Sequence, residues 1–339
     1  MIVDRYYYNQ LNKNEQIIYR CFYKGIMDRK DIIPIPVKGM MTQEVFNRIF
    51  EAMTRDNPLI YYLNQSTCSL ATDVLGHTAI CPQYFFSRER IHEYNRKIEK
   101  AVNELAADLK LKEGTEYEKE LKVHDWLCNF VSYDYDGADI NDPVRFMEAH
   151  NIVGVFAHHR AQCEGIAKAV KVLLNAVDIK CIVVTGKADG NGQNGPHAWN
   201  IVNIDGKAYQ LDITWDIGAG GKNKDRMAYD YFNLTDGMMY MDHTPDSKLP
   251  ICNSLDMNYF RNNKLVFNSK TRLLAYIDSL LKKGEMDFYF QLEGRLKMKD
   301  ILKDISDLSM SVMTTQGKRN VRIQHISNEK LGICWVRIK

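Results

Sequence analysis

The chain is 339 residues long, which suits two or three domains. Its 45% hydrophobic and 26% charged content is that of a globular protein and excludes a disordered or fibrous one. Forty-five Lys and Arg against 43 Asp and Glu leave a formal charge of +2, so nothing asks for a nucleic acid or an anionic membrane as partner.

No apolar run of about 18 residues occurs, so no transmembrane helix is expected. The segment Met1 to Tyr8 has no apolar h-region and hence no visible signal peptide. The eight cysteines are scattered without a CxxC pair. A reducing, cytoplasmic compartment is therefore the expectation, with export of a longer precursor left open. Structural zinc would want Cys or His pairs at short spacing. Only His158-His159 with Cys163 comes near, and no metal or cofactor is expected.

In chain order, Glu15 to Gly25 places Ile18, Cys21 and Phe22 at helical spacing. Asp31 to Val37 is apolar but holds two prolines, so it is at best an edge strand. Thr42 reads as the N-cap of a helix carrying Val45, Phe46, Ile49, Phe50 and Met53. Short strands are predicted at Leu59–Leu63 and His77–Cys81. Ser87 to Leu109 is a long charged helix that stops before Gly114. Thr115 with Glu118 matches a capping box and opens a helix with Leu121, Trp126, Leu127 and Phe130.

Behind Cys163, residues Ile166, Ala169, Val170, Leu173, Leu174 and Val177 form the stripe of a helix packed on one face. Lys180 to Thr185 is a strand by its β-branched content. A loop follows with Gly186, Gly190, Gly192, Gly195 and Pro196. His197–Ile204 and Lys207–Thr214 are two strands, joined at Asp205-Gly206 by a type I′ hairpin turn. Towards the C-terminus the pattern predicts a strand at 264–267, a helix at 271–282, a strand at 286–292 and a helix at 296–310. Strands at 321–326 and 332–338 end it. The division this gives is 1–110 (an N-terminal α+β unit and linking helix), 111–260 (the core) and 261–339 (a small α+β unit).

Three residues in the core belong together. A thiol becomes a good nucleophile once ionised, and a helix N-terminus beside an imidazolium favours the thiolate. Cys163 sits just before a predicted helix. With Asp205-Gly206 as the hairpin loop, Ile204 faces Lys207, Trp199 faces Asp212 and His197 faces Thr214. His197 and Asp212 then share a face, one diagonal step apart, about 7–8 Å at the backbone and within reach of long side chains. An Asp there fixes the imidazole tautomer and leaves the other nitrogen for a thiol. This count depends on the register, which a bulge would shift.

The segments Ala161-Gln-Cys163-Glu-Gly-Ile-Ala167, Gly195-Pro-His197-Ala-Trp-Asn-Ile-Val202 and Asp205-Gly-Lys-Ala-Tyr-Gln-Leu-Asp212-Ile-Thr-Trp-Asp216 resemble the transglutaminase-like superfamily, most of all its bacterial branch. Upstream, His124-Asp-Trp-Leu127 and Val131-Ser-Tyr-Asp134 resemble the helix and loop that precede the cysteine there. The resemblance covers roughly residues 115–245. It implies an α+β, papain-like core, with a cysteine-bearing helix on an antiparallel sheet that carries His and Asp. Carried over, Cys163 is the nucleophile, His197 the general base and acid, and Asp212 the orienting residue. The implied chemistry is acyl transfer through a thioester on a protein or peptide amide. An amine acceptor makes it a transglutaminase, and water makes it a protease or amidase. No calcium requirement follows.

Many relatives carry small or glycine-bearing residues before the cysteine, whereas here the segment is Val155-Phe-Ala-His-His-Arg-Ala-Gln162. The Cys163 backbone N–H is one oxyanion candidate, Tyr133 and Gln162 are side-chain candidates, and Trp199 is a cleft candidate. Asp216 ranks behind Asp212 as third member. His158 and His159 are placed in the loop before the helix. The alternative reading is a catalytically silent binding or scaffold protein, because fold does not imply activity. Neither the oligomeric state nor the acyl acceptor is legible.

Overall fold

The computed structural model describes residues 5–37, 41–64, 67–139, 141–190, 192–220, 226–315, 317 and 321–339. The chain begins with α1 (Lys13–Met27), where Asn12 and Glu15 form a capping box. The edge strand β1 (Ile33–Pro34) follows, and then α2 (Gln43–Asp56), capped by Thr42. Phe22 of α1 packs on Phe46 and Phe50 of α2. Strands β2 (Ser69–Thr72) and β3 (Thr78–Cys81) complete a sheet of order β1-β3-β2. The proline-bearing strand is at its rim, where a missing N–H costs no ladder bond.

The strand expected at Leu59–Leu63 is not formed, and only Leu63 makes a bridge, to Tyr84. Leu59 is exposed, while Ile60 to Leu63 are buried, and the Tyr61 hydroxyl bonds to the Ile91 carbonyl and Asn95 of α3 (Arg88–Asp108). Next come α4 (Glu116–Phe130) with the Thr115–Glu118 capping box, then β4 (Ser132–Tyr133), α5 (Pro143–Ala149), α6 (Ile152–His158), β5 (Arg160–Ala161) and α7 (Cys163–Asn175). The helices α5 and α6 have seven residues each, too few to leave a periodic signal. His158 therefore ends a helix rather than lying in a loop. His159 turns the chain out of it in the left-handed region, at φ 53°.

The central sheet is antiparallel, of order β8-β7-β6-β9, from β6 (Cys181–Gly190), β7 (Gln193–Ile204), β8 (Lys207–Leu211) and β9 (His243–Pro245). The glycine-rich stretch expected as a loop is strand instead, pairing from Cys181↔Val202 out to Gly190↔Gln193. Gly186 has a steric duty, since a Cβ there would overlap the Thr244 carbonyl oxygen of β9. The Asp205-Gly206 turn has φ of 49° and 80°, as a type I′ turn requires, and Ile204 pairs with Lys207. The predicted strand is shorter than expected, however. It ends at Leu211, and Asp212 caps α8 (Ile213–Ala219).

Two short helices, α9 (Asp236–Met239) and α10 (Tyr259–Asn262), lead into the C-terminal unit. There β10 (Val266–Phe267), β11 (Asp287–Leu292), β13 (Ile333–Ile338) and β12 (Ile323–Asn328) form a sheet in that order, covered by α11 (Lys270–Lys282) and α12 (Met298–Thr315). Leu273, Ile277, Phe290, Ile305 and Val336 fill the space between. A larger apolar cluster runs from Tyr7 to Ile333 and includes the buried face of α7 (Ile166, Ala169, Val170, Leu173, Leu174). A helix that begins at Cys163, laid on an antiparallel sheet bearing His197, is the α+β, papain-like core. No described helix is long and apolar enough to cross a membrane.

Candidate active site

Helix α7 is fixed to the sheet by polar bonds as well as by packing. The Asn200 amide of β7 donates to the Ala167 carbonyl (2.9 Å) and the Ile182 carbonyl (3.1 Å). The buried Lys171 ammonium donates to the Cys181 carbonyl at 2.5 Å. Gly165 lets the start of the helix approach the loop behind it, because a Cβ there would lie 2.5 Å from the Ala149 carbonyl oxygen. Cys163 is consequently held half-buried against Ala167, Val183 and Ala198.

Cys163 is the first residue of α7, where backbone N–H groups lack intrahelical partners. Its N-cap, Gln162, makes no side-chain capping bond. Among the described residues, ten other α-helices have a side-chain cap. Their caps use up first-turn donors that α7 leaves to serve an anion.

His197 and Asp212 meet as the hairpin count expects, with Nε2 2.7 Å from Asp212 Oδ2. With Nε2 engaged, Nδ1 is the nitrogen left for sulfur, and the Cys163 side chain is near enough to act on the imidazole electrostatically. Burial alone would lower the imidazole pKa, but the charge and hydrogen bond of Asp212, then Cys163, outweigh it and raise it to about 10. Asp212 answers in the opposite direction. Its burial would raise it, yet His197 and His243 hold it well below the usual carboxylate range. Its other oxygen accepts from the Trp215 N–H at 3.1 Å, so one side chain both caps α8 and orients His197.

The sequence pattern missed His243. This buried imidazole has Nε2 3.1 Å from Asp212 Oδ2 and Nδ1 2.7 Å from Asp242 Oδ1. A lone Asp-His pair before a short strand carries no specific signal, which is why pattern reading passed over it. His197, Asp212 and His243 each offer a ligand atom within 4.8 Å of the others, a spacing that could hold a metal ion. Their hydrogen bonds to one another and to Asp242 already satisfy these atoms.

The other candidates are placed as follows. The Tyr133 hydroxyl donates to Gln162 Oε1 at 3.3 Å, and burial followed by the nearby Cys163 charge pushes its pKa up. The Gln162 amide donates one of its two N–H groups to the Asp134 carbonyl at 2.7 Å. Trp199 is buried, with Nε1 donating to Gln210 Oε1 at 2.8 Å and its ring stacked on His197. It therefore underlies the imidazole instead of walling a cleft. Asp216 belongs to a separate buried cluster, with His124 Nε2 at 3.1 Å and the Tyr231 N–H at 3.0 Å. Cys128 Sγ lies 3.6 Å from the same His124 nitrogen. This cluster braces α4 against α8.

Residues 103–212 match the profile of the transglutaminase-like superfamily, a stretch that holds Cys163 and His197 and ends on Asp212. Over that stretch the chain is similar to the superfamily. It is similar to the kyphoscoliosis peptidase of Mus musculus, 24% identical over 163 residues that cover 44% of this chain and 24% of that protein. The kyphoscoliosis peptidase of Homo sapiens is 25% identical over 159 residues, covering 43% of this chain and 23% of that protein. The matched region thus spans about a quarter of these relatives' length. A crystal structure of a TGase aligns at TM-score 0.31 and 19% identity, over 54% of this chain and 50% of the other.

Proposed function

We propose that this protein is a cysteine-dependent acyltransferase acting on protein or peptide amides, with Cys163 as nucleophile, His197 as general base and acid, and Asp212 as the orienting residue. The observation that carries this reading is the 2.7 Å bond from His197 Nε2 to Asp212 Oδ2, with the Cys163 side chain near enough to add to the raising of the imidazole pKa. The Cys163 thiolate attacks the amide carbonyl carbon, and the backbone N–H groups at the start of α7 receive the oxyanion. The His197 imidazolium gives its proton to the departing amine, which leaves a thioester on Cys163. The acceptor, an amine or water, then loses a proton to His197 as it attacks the thioester, and the thiolate is restored.

The second reading, a silent binding or scaffold protein, is favoured by the setting of the cysteine. Cys163 is half-buried beside Tyr133, and it lines neither the cavity of about 390 Å³ around Arg145 nor that of about 360 Å³ around Trp126. One experiment separates the two readings. A thiol-reactive peptide amide mimic is incubated with the protein at neutral pH, and each of the eight cysteines is quantified by peptide mass spectrometry. Labelling should concentrate on Cys163 and fall at least tenfold in His197→Ala. Equal, slow labelling of the eight cysteines would remove the enzyme reading.

A further inference from the structure

His243 faces a carboxylate with each ring nitrogen, Asp212 through Nε2 and Asp242 through Nδ1. A carboxylate oxygen at each nitrogen favours the imidazolium form, and these bonds raise its pKa against the pull of burial. Around it stand His197 and Trp199 from β7, Trp215 from α8, and Tyr231. The charged or titratable groups facing it are thus Asp212, Asp242, His197 and the Tyr231 phenol, with the His197 charge opposing its own.

Asp242 is in turn gripped from two sides. The Tyr231 hydroxyl donates to its Oδ2 at 2.9 Å, and Lys330 Nζ lies 3.7 Å from the same oxygen. The Asn328 amide reaches the Tyr231 hydroxyl at 3.4 Å. Asn328 ends β12, and Lys330 is in the turn before β13, so both belong to the C-terminal unit. A continuous polar chain therefore leads from that unit through Tyr231 and Asp242 to His243, Asp212 and His197.

We infer that His243 is a positioning residue for the triad, and that the C-terminal unit holds it in place through Asn328 and Lys330. This rests on the reading of Cys163 as a nucleophile activated by His197. Asp212 Oδ2 has two donors to orient it, and the second comes from a ring that Asp242 prevents from turning. Without His243, Asp212 keeps only its helix-capping bond and His197, and the carboxylate is free to follow the imidazole away from the sulfur. The function assigned to the C-terminal unit is thus to set the alignment of the site.

The test is the pH–rate profile of Cys163 alkylation by iodoacetamide, read by peptide mass spectrometry on the full chain, which needs no substrate. The wild type should be alkylated at neutral pH, and its profile is the reference against which the variants are read. In His243→Ala the rate at pH 7 should fall about tenfold and the inflection should move up. His243→Gln retains a donor towards Asp212 and should recover most of the rate. Lys330→Ala and Asn328→Ala, made outside the central core, should move the inflection the same way by a smaller amount.

Circular dichroism on each variant keeps unfolding apart from misalignment. If His243→Ala fails to fold, the Gln, Lys330 and Asn328 variants decide the matter. Profiles that superimpose on the wild type in the folded variants overturn the inference and leave the triad reading standing. A wild-type profile that His197→Ala leaves unchanged overturns the triad reading and this one with it.

Discussion

Asp212 carries three duties on two oxygens. Oδ2 accepts from His197 and His243, and Oδ1 accepts from the first turn of α8. An amide in its place can turn its oxygen to the histidines or to the helix, but not to both. Asp212→Asn should therefore cost about 1–3 kcal/mol of stability by leaving a buried donor unpaired. The larger effect is on His197. Its pKa is raised to about 10 mainly by Asp212, against the pull of burial. The stability this gives is complete below the unfolded histidine value of about 6.5 and is lost as pH rises towards 10. With the carboxylate gone, burial prevails and the imidazolium should be lost below neutrality. A histidine nitrogen NMR titration should place the His197 transition above pH 8 in the wild type and below pH 7 in the variant. Alkylation of Cys163 at pH 7 should fall by about 10²-fold or more. An unmoved His197 transition would mean that Asp212 does not set its charge.

At the scale of elements, the position of Cys163 depends on how α7 sits on β6 and β7, and Asn200 is the polar joint. Asn200→Ala removes the donor to the Ala167 and Ile182 carbonyls and leaves both buried. It should lower stability by about 1–3 kcal/mol, seen as a lower denaturant midpoint with an unchanged slope. Preferential labelling of Cys163 should weaken as the helix start loosens. A midpoint within error of the wild type would show that packing alone fixes the helix.

Much of this layout was legible because it is local. Thr42, Ser87 and Thr115 announce helix starts through side-chain caps, and Asp205-Gly206 announces a hairpin whose register follows by counting. The illegible parts depend on tertiary partners. The strand after that hairpin stops at Leu211 because Asp212 is drawn into capping α8, which no period-2 pattern reveals. The glycines of β6 and β7 look like loop residues until β9 is seen to need the missing Cβ at Gly186. His243 is invisible in sequence because its two carboxylates come from Asp212, on the far side of α8, and from an adjacent loop residue of no special type.

Over the whole molecule, the buried titratable groups divide into those that favour charge and those that resist it, and both kinds make folding stability depend on pH. Glu120 of α4 is the clearest of the second kind. Its carboxyl is buried, with Oε2 accepting from the Asn233 amide at 2.8 Å and Oε1 without a hydrogen-bond partner. Burial pushes its pKa up to about 8. Below about pH 4.5 the folded and unfolded chains both hold this proton, and it has no effect on stability. Between there and pH 8 the unfolded chain has released a proton that the folded chain keeps, so stability falls as pH rises. Above pH 8 the deficit is constant, on the order of a few kcal/mol. Glu120→Gln keeps an oxygen for Asn233 and removes the titration. Thermal unfolding of the two proteins should give similar midpoints near pH 4.5, with the variant higher by several degrees at pH 8. The sign is the same as for His243 and His197, and only the mechanism differs. All three lose stability as pH rises, the histidines because a stabilising charge is surrendered and Glu120 because a destabilising one is forced into the core. The wild type should therefore be most stable on the acid side of neutrality, and Glu120→Gln should flatten that slope without abolishing it. If the wild-type and variant midpoints run parallel from pH 4.5 to 8, Glu120 is not protonated in the folded chain, and other buried groups, the histidines and Asp216 among them, carry the pH dependence.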